Sequence, residues 1–280
     1  MHMSYISRLM VVILFFTCIT SCNEEKKLKE NNLSFETIEK EESYNLLDDG
    51  NNPNCNLQIK FSFPEQYADS AILSKLQRKF IATYFGDNYT QLPPRDAVNK
   101  YIQDYINTYK ELEPEFESEI EKGKDSGAWY SYYEMSSNDI KFNKNDVLSF
   151  VVSTEAYTGG AHGSHTYNNY ALNLNNGEQI KESEIFHENY QDLLSKMIVD
   201  KICEANDIKD PKELENIGYF SVEDIVPNNN FFVDELGITY TYNEYEIAAY
   251  VIGPIHVRFT YEELAPLLRP ESPISHLAFN

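Results

Sequence analysis

The sequence predicts an α+β fold in which a mostly antiparallel sheet packs with about three amphipathic helices. Two observations lead to this prediction. Short segments with alternating apolar residues, typical of strands, occur early, in the middle and late in the chain. Between them lie longer segments whose apolar residues recur every three or four positions, typical of helices. Because the two kinds of segment do not alternate regularly, a mostly antiparallel sheet is favoured over a parallel one.

The first 21 residues have the features of a bacterial signal peptide. Arg8 is followed by an apolar run, Leu9–Phe16, which is too short to span a membrane. The next residues, Ile19–Cys22, resemble a lipobox, which implies cleavage before Cys22 and lipidation of its thiol. Cys22 would then anchor the protein to a membrane in the envelope of a Gram-negative bacterium, periplasmic or surface-exposed. The alternative is an ordinary cleaved signal with an incidental cysteine.

Residues 22–54 are polar and charged and show no sustained apolar period. We therefore predict a flexible tether between the lipid anchor and the folded part. The tether begins with the acidic stretch Asn23–Glu25, which resembles a surface-export signal of some lipoproteins.

The composition restricts the partners of the protein. Asp and Glu number 45 against 23 Lys and Arg, for a formal charge of -22. Such a surface repels phosphate backbones, so we expect no nucleic-acid binding. It would suit a cationic partner, although solubility alone also accounts for it. The glycine-rich phosphate loops are absent, and we expect neither a cofactor nor a metal.

Two cysteines, Cys55 and Cys203, remain once the signal peptide and Cys22 are set aside. In an exported protein such a pair can form one disulfide. The bond would tie the start of the folded part to its middle.

The first half of the folded part is predicted as one strand followed by two helices. Leu57–Phe63 alternates and is expected to end at Pro64. Residues 69–85 have a helical period, and Gly86 ends that helix. A second helix begins at Pro93-Pro94 and is broken or kinked at Pro114.

Further strands and a third long helix are predicted in the second half. The helix spans roughly Glu188–Ala205, and Asn175–Gly177 is a hairpin turn. A short helical turn begins at Pro211, and a closing helix follows the last strand. We expect the tail, residues 271–280, to be loose. The predicted strands are residues 128–135, 140–142, 147–154, 169–174, 231–233, 238–242 and 255–259.

The turn Tyr157–His165, between the two middle strands, is the first place to look for a site. It contains three glycines and two histidines, His162 and His165. The simplest interpretation is a backbone bend that the glycines allow and His162 stabilises. A metal site with Glu155, or a histidine general base, are the alternatives. Ser164 lacks the Gly-x-Ser-x-Gly context of a nucleophile.

Tyrosine is abundant, with 21 residues against one tryptophan, and it clusters at 129–133 and 240–250. Exposed aromatic rings can stack on sugars or anchor a protein partner, whereas half-buried strand tyrosines would only contribute to packing. Our candidate ligand-binding residues are Tyr157, His162, His165, Tyr242 and Tyr245.

Two stretches resemble the PdaC/RsiV-like superfamily of extracytoplasmic bacterial domains. They are Tyr157–His162 with the later Glu184–Phe186, and the carboxy-terminal run from Phe231 to Leu264. The resemblance implies an α+β fold in two closely joined modules, residues 55–161 and 162–270. The first module accompanies some peptidoglycan deacetylases, and the second occurs in many lipoproteins and in anti-sigma factors that sense lysozyme.

These features together predict a membrane-anchored, non-catalytic binding module for a cell-wall glycan or a basic protein such as lysozyme. The alternative is a carbohydrate-active enzyme on envelope or dietary polysaccharide, which requires two carboxylates across a cleft or His162 with a metal. A third hypothesis is a structural subunit of an envelope assembly.

Overall fold

The structure is a computed structural model that describes residues 28–123 and 127–278. The predicted signal peptide and Cys22 lie outside these residues. The α+β prediction is confirmed by a six-stranded and a three-stranded sheet that pack with helices. Within the described ranges, no helix is both long and apolar enough to cross a bilayer.

The six-stranded sheet follows the order of the chain. Its strands are antiparallel to their neighbours, apart from the parallel pair β2 and β3. Such a parallel pair needs a long crossover connection, and the first helices of the chain provide it. The strands are β1 (Ser34–Asn45), β2 (Asn54–Gln66), β3 (Tyr132–Lys144), β4 (Val147–Tyr157), β5 (Ser164–Asn173) and β6 (Glu178–Gln179).

Helices α1 (Ser70–Phe85) and α2 (Pro94–Lys110) cover one face of this sheet, which we call the helix-covered face. The carboxylate of Asp69 caps α1 by accepting from two backbone N–H groups, and the sequence predicted both helices correctly. The period-2 pattern points Phe61 and Phe150 at α1, where Phe150 stacks on Phe80 with ring centroids 4.1 Å apart. Shorter helices follow: α3 (Glu113–Glu121) and α4 (Gly127–Tyr130).

The carboxy-terminal part forms a second core against the other face of the large sheet. Its buried residues include those of helix α6 and of one face of the three-stranded sheet, and the same cluster contains Phe142, Val147 and Ala171 of the large sheet. The elements are α5 (Glu182–Ile185), α6 (Gln191–Ala205), β7 (Phe231–Val233), β8 (Gly237–Tyr242), β9 (Ile255–Thr260), α7 (Tyr261–Leu264) and α8 (Ser275–Ala278).

Side chains of the carboxy-terminal part cap the edge of β5. The backbone N–H groups of residues 165, 167 and 169 donate to Glu244, Asn243 and Asn230, at 3.1, 2.7 and 2.7 Å. The predicted module boundary at 161/162 falls in the turn between the paired strands β4 and β5. It therefore lies between the two strands of one hairpin.

The tether prediction is wrong for residues 34–45, which form β1 and pair with β2 along its length. The pattern was misleading because β1 is an edge strand with one buried residue, Ile38, and many exposed charges. Charged side chains on an edge strand are typical because they discourage pairing with another chain.

The predicted disulfide and the predicted loose tail are also corrected. Cys55 and Cys203 are both free and buried in separate hydrophobic clusters, and burial raises the pKa of each thiol. In the tail, Leu277 of α8 packs into the carboxy-terminal core. Helix α8 has only four residues, so its sequence carries no helical period, and its position depends on packing against that core.

Two strand boundaries also differ from the prediction. Residues 127–130 form the helix α4, and the two short strands expected over 128–142 are one strand, β3. Strand β2 passes through Pro64, because Pro64 lies at a register shift beside the edge strand β1.

Candidate functional site

The second face of the large sheet is only partly covered. The carboxy-terminal core covers the ends of β4 and β5, and the rest, which we call the open face, lies in a solvent-accessible groove of about 600 Å³. Strand pairing aligns its polar side chains in rows across five strands. They are Glu39, Glu41, Gln58, Lys60, Ser137, Ser153, Glu155, His165 and Tyr167, and the apolar Met135 lies among them.

The turn between β4 and β5 lies at one end of this groove. Gly159 has a left-handed backbone, with φ of 86°, and an added Cβ would lie 2.8 Å from the Trp129 carbonyl oxygen. At Gly163 an added Cβ would lie 3.1 Å from the Tyr133 hydroxyl. Gly159 therefore requires glycine, whereas a side chain at residue 163 would need its neighbours to shift by a few tenths of an ångström. Both observations agree with the bend interpretation. The hydroxyl of Tyr157 closes the turn by donating to the Gly160 carbonyl, at 2.9 Å.

His162, Tyr245 and Tyr250 form three nearly parallel rings beside the turn, which we call the aromatic stack. The His162 ring lies 3.9 Å from Tyr250 and 6.1 Å from Tyr245 between centroids, with interplanar angles below 30°. His162 Nδ1 is 2.8 Å from the Gly163 carbonyl oxygen, and Nε2 is 3.1 Å from the Tyr245 hydroxyl. The stack joins the turn to the carboxy-terminal part.

Tyr245 is held in an unusual conformation. Its φ is 65°, in the left-handed region that a bulky residue rarely occupies, and 56% of its surface is exposed. Left-handed backbone costs an L-residue about 1–2 kcal/mol. Strained residues of this kind cluster at ligand-binding sites, so the exposed ring of Tyr245 is a functional candidate.

His165 lies between two carboxylates in the groove. Its Nδ1 is 3.0 Å from Glu244 Oε1, and its Nε2 is 3.7 Å from Glu155 Oε1. Glu155 also accepts a hydrogen bond of 3.1 Å from the Tyr133 hydroxyl. Desolvation, and then the contact with Glu155, raise the pKa of Tyr133, so this phenol stays a donor at neutral pH.

The carboxylate pairs of the groove do not have the spacing of a glycosidase site. Glu41 and Glu155 lie three strand spacings apart, about 14 Å, which exceeds the separation of paired carboxylates in glycosidases. Glu155 and Glu244 leave no room for a sugar because the His165 ring lies between them. Among the described residues, no group of three His, Cys, Asp or Glu side chains is arranged to hold a metal ion.

The structure brings together some of the predicted site residues. His162, His165, Tyr157 and Tyr245 all lie at the turn end of the groove. Tyr242 does not: it is 1% exposed, and its hydroxyl donates to the Val226 carbonyl, so its proposed ligand role is wrong. The Tyr242 side chain points from β8 into the carboxy-terminal core, in agreement with the interpretation that strand tyrosines contribute to packing.

Sequence reasoning missed Glu244, the residue that contacts His165. The two residues are 79 positions apart, and nothing in a chain with 45 acidic side chains distinguishes Glu244. The sequence indicated Tyr133 and Tyr250 only as members of the tyrosine clusters at 129–133 and 240–250, and not as site residues. Strand pairing and the packing of the two modules bring them to the site.

Comparison with known proteins assigns both halves of the chain. The family model described as deacetylase PdaC matches residues 49–165, and the model described as protein of unknown function DUF3298 matches residues 183–262. A crystal structure of a DUF3298 family member from Bacteroides fragilis is 32% identical, with a TM-score of 0.84. The match covers 90% of this chain and 99% of that one. The chain belongs to the DUF3298 family.

A DUF3298 family protein from Pseudomonas aeruginosa has the same general fold, with 13% identity and a TM-score of 0.52 over 86% of this chain and 97% of that one. No curated protein matches the chain. PdaC-type domains are extracytoplasmic, and the function of DUF3298 domains is unknown. The candidate site of this DUF3298 protein uses both matched parts: His162 and His165 belong to the first, and Glu244, Tyr245 and Tyr250 to the second.

Proposed function

We propose that this DUF3298 protein is a non-catalytic binding module for a cell-wall glycan, and that the ligand lies along the open face. The main support is the aromatic stack, whose ring at Tyr245 is exposed in a strained backbone conformation at the end of a polar groove. Aromatic rings with one apolar face suit the C–H faces of sugars. Hydroxyl, carboxylate and amide side chains along the groove supply the polar contacts that fix a ligand's orientation.

A lipid anchor at Cys22 forms part of the proposal. The described chain begins beside the β3–β4 turn, where Lys29 and Asn145 exchange two hydrogen bonds. Strand β4 has 11 residues, so the aromatic stack lies about 35 Å from that turn, at the other end of the sheet. An anchor in the Gram-negative envelope would therefore leave the groove directed away from its own membrane.

A basic protein such as lysozyme is the second candidate ligand. Strand β1 supports it, because three exposed glutamates lie along this edge of the sheet and the whole chain carries a formal charge of -22. Complementary charge of this kind accelerates association and makes binding sensitive to salt. Glycan retention through aromatic contacts should depend much less on salt.

The test is retention of the purified protein on insoluble peptidoglycan, and separately on immobilised lysozyme, at physiological salt. We expect peptidoglycan to retain the wild type, and Tyr245→Ala and Tyr250→Ala to lose most of that retention. Trp129→Ala is the matched control, because Trp129 is also exposed but lies outside the stack. Circular dichroism would confirm that each variant is folded.

Each result separates the candidates. Retention on lysozyme alone, abolished by raised salt, would favour the basic-protein ligand and overturn the glycan proposal. If Tyr245→Ala and Tyr250→Ala are retained as well as the wild type on both ligands, the binding surface lies outside the aromatic stack. Release of reducing ends from the glycan by the wild type would instead support the carbohydrate-active enzyme.

A further inference from the structure

The tautomer of His165 follows from its partners. Glu244 accepts from the His165 backbone N–H through Oε2, at 3.1 Å, and faces Nδ1 through Oε1, at 3.0 Å. A carboxylate only accepts hydrogen bonds, so Nδ1 carries the hydrogen. Only 9% of the Glu244 side chain is exposed, so this carboxylate has little freedom to move. Its two contacts therefore hold the His165 ring in one orientation. Nε2 is therefore the ring nitrogen that faces the groove, and it offers a lone pair whenever the ring carries a single hydrogen.

This lone pair faces a second acceptor. Nε2 lies 3.7 Å from Glu155 Oε1, which is too long for a direct hydrogen bond in either protonation state of the ring. Both side chains line the groove. The Tyr133 hydroxyl already donates to Glu155 Oε1, at 3.1 Å, but among the described residues no hydrogen bond joins Glu155 to His165 Nε2. A ligand group that donates to both atoms is therefore favoured.

The surrounding charges specify that group further. Glu155 and Glu244 bring two carboxylates to one imidazole. Lys60, in the same groove, is two strands away from Glu155 and pairs with Glu39 at 3.6 Å. In the described part of the chain, His165 is the one basic side chain paired with Glu155. A positively charged donor would therefore be bound more tightly than a neutral one.

We infer that His165 Nε2 and Glu155 form a subsite for a primary ammonium group, so that the groove prefers a glycan with free amino groups over its N-acetylated counterpart. An ammonium group has three N–H donors and one positive charge, whereas an acetamido group is neutral and has one N–H. The inference rests on the proposed glycan-binding function, since the aromatic stack beside this subsite would hold the sugar ring. Glu244 acts as a positioning residue that orients His165.

The affinities of two oligosaccharides of equal length test this preference. Titration calorimetry with the purified protein would compare a glucosamine oligomer, with its amino groups protonated, and an N-acetylglucosamine oligomer. We expect the glucosamine oligomer to bind about tenfold more tightly, as a charge-assisted hydrogen bond provides. Glu155→Gln should abolish this difference, and Tyr245→Ala should weaken both ligands equally.

Glu41→Gln is the matched control, because it removes the same charge from the same groove about 14 Å away. It should keep the preference. Glu244→Gln should reduce the preference, and the NMR resonances of the His165 ring nitrogens should show a changed tautomer. A merely structural role for Glu244 would leave that tautomer unchanged.

A second measurement makes the subsite testable without a glycan. Methylammonium chloride should shift the ring resonances of His165 in the wild type and not in Glu155→Gln. If neither oligomer binds but methylammonium produces this shift, the glycan proposal fails and the ammonium subsite stands. Equal affinities for the two oligomers would overturn the inference, and so would a preference that survives Glu155→Gln. It would also be overturned if Glu155 binds Zn²⁺ and neither ammonium ligand, with Glu155→Gln abolishing the Zn²⁺ binding.

Discussion

The two faces of the six-stranded sheet differ in what covers them. On the helix-covered face, aromatic and branched side chains of β2 and β4 meet α1 and α2 and exclude water. On the open face, the same strands present carboxylates, hydroxyls and amides to a groove. One backbone thus supports both a core and a binding surface, because successive residues of a strand point to opposite faces.

The difference shows how the site can be open without weakening the fold. The covered face supplies hydrophobic burial, which is the main favourable term in folding. The open face is free to carry polar groups, and side chains from a sequence-distant module close one end of its groove. Substitutions on the two faces should therefore have separable consequences.

The largest expected effect is on the helix-covered face. Phe150→Ala should lower the free energy of unfolding by about 3–5 kcal/mol, because Phe150 is fully buried and packs on Phe80 and Tyr170. Ser153→Ala, on the open face of the same strand, should change it by less than about 0.5 kcal/mol. Urea denaturation measures both. Similar losses for the two variants would contradict the division of the sheet into a core face and a binding face.

A smaller, pH-dependent effect is expected at Glu134, which points to the covered face. Burial raises the pKa of Glu134, and the hydrogen bond from the Tyr101 hydroxyl partly offsets this rise. With a folded pKa above the unfolded one, the contribution of Glu134 to stability is present below about pH 4.3 and is lost as pH rises through the folded pKa. Glu134→Gln cannot ionise, so it should gain stability relative to wild type as pH rises toward neutrality.

Denaturation curves of wild type and Glu134→Gln from acidic to neutral pH measure this difference. Tyr101→Phe sharpens the test, because it removes the hydrogen bond that lowers the Glu134 pKa and should steepen the pH dependence. Curves that stay parallel across the range would show that the covered face does not perturb this carboxyl.

The smallest effect on stability is expected at Tyr245, beside the open face. Tyr245→Gly relieves the left-handed backbone but removes the contacts with His162 and Tyr250, so the free energy of unfolding should change by less than about 1 kcal/mol. Glycan retention should nevertheless be lost. Tyr245→Phe keeps the ring and should keep most of the retention. Retention by the glycine variant would show that the strained ring does not contribute to binding.

Local patterns in the sequence determined the fold class and most of its elements. The helices at 70–85, 94–110 and 191–205 and the strands around the central turn were predictable, because each buries one face and repeats its apolar residues with the matching period. The same reasoning failed where neighbours supply the stabilisation. Strand β1 is mostly charged and owes its position to pairing with β2, and α8 owes its position to the carboxy-terminal core.

For the candidate site, the sequence indicated the turn with His162 and His165, and separately Tyr245 in the cluster at 240–250, since glycines and aromatics leave a local signal. Only the tertiary structure showed that Tyr242 is in the core, that Cys55 and Cys203 are apart, and that Glu244 holds His165. These facts depend on contacts between residues far apart in the chain. No periodicity or spacing encodes such contacts, because strand register and the packing of two modules decide them.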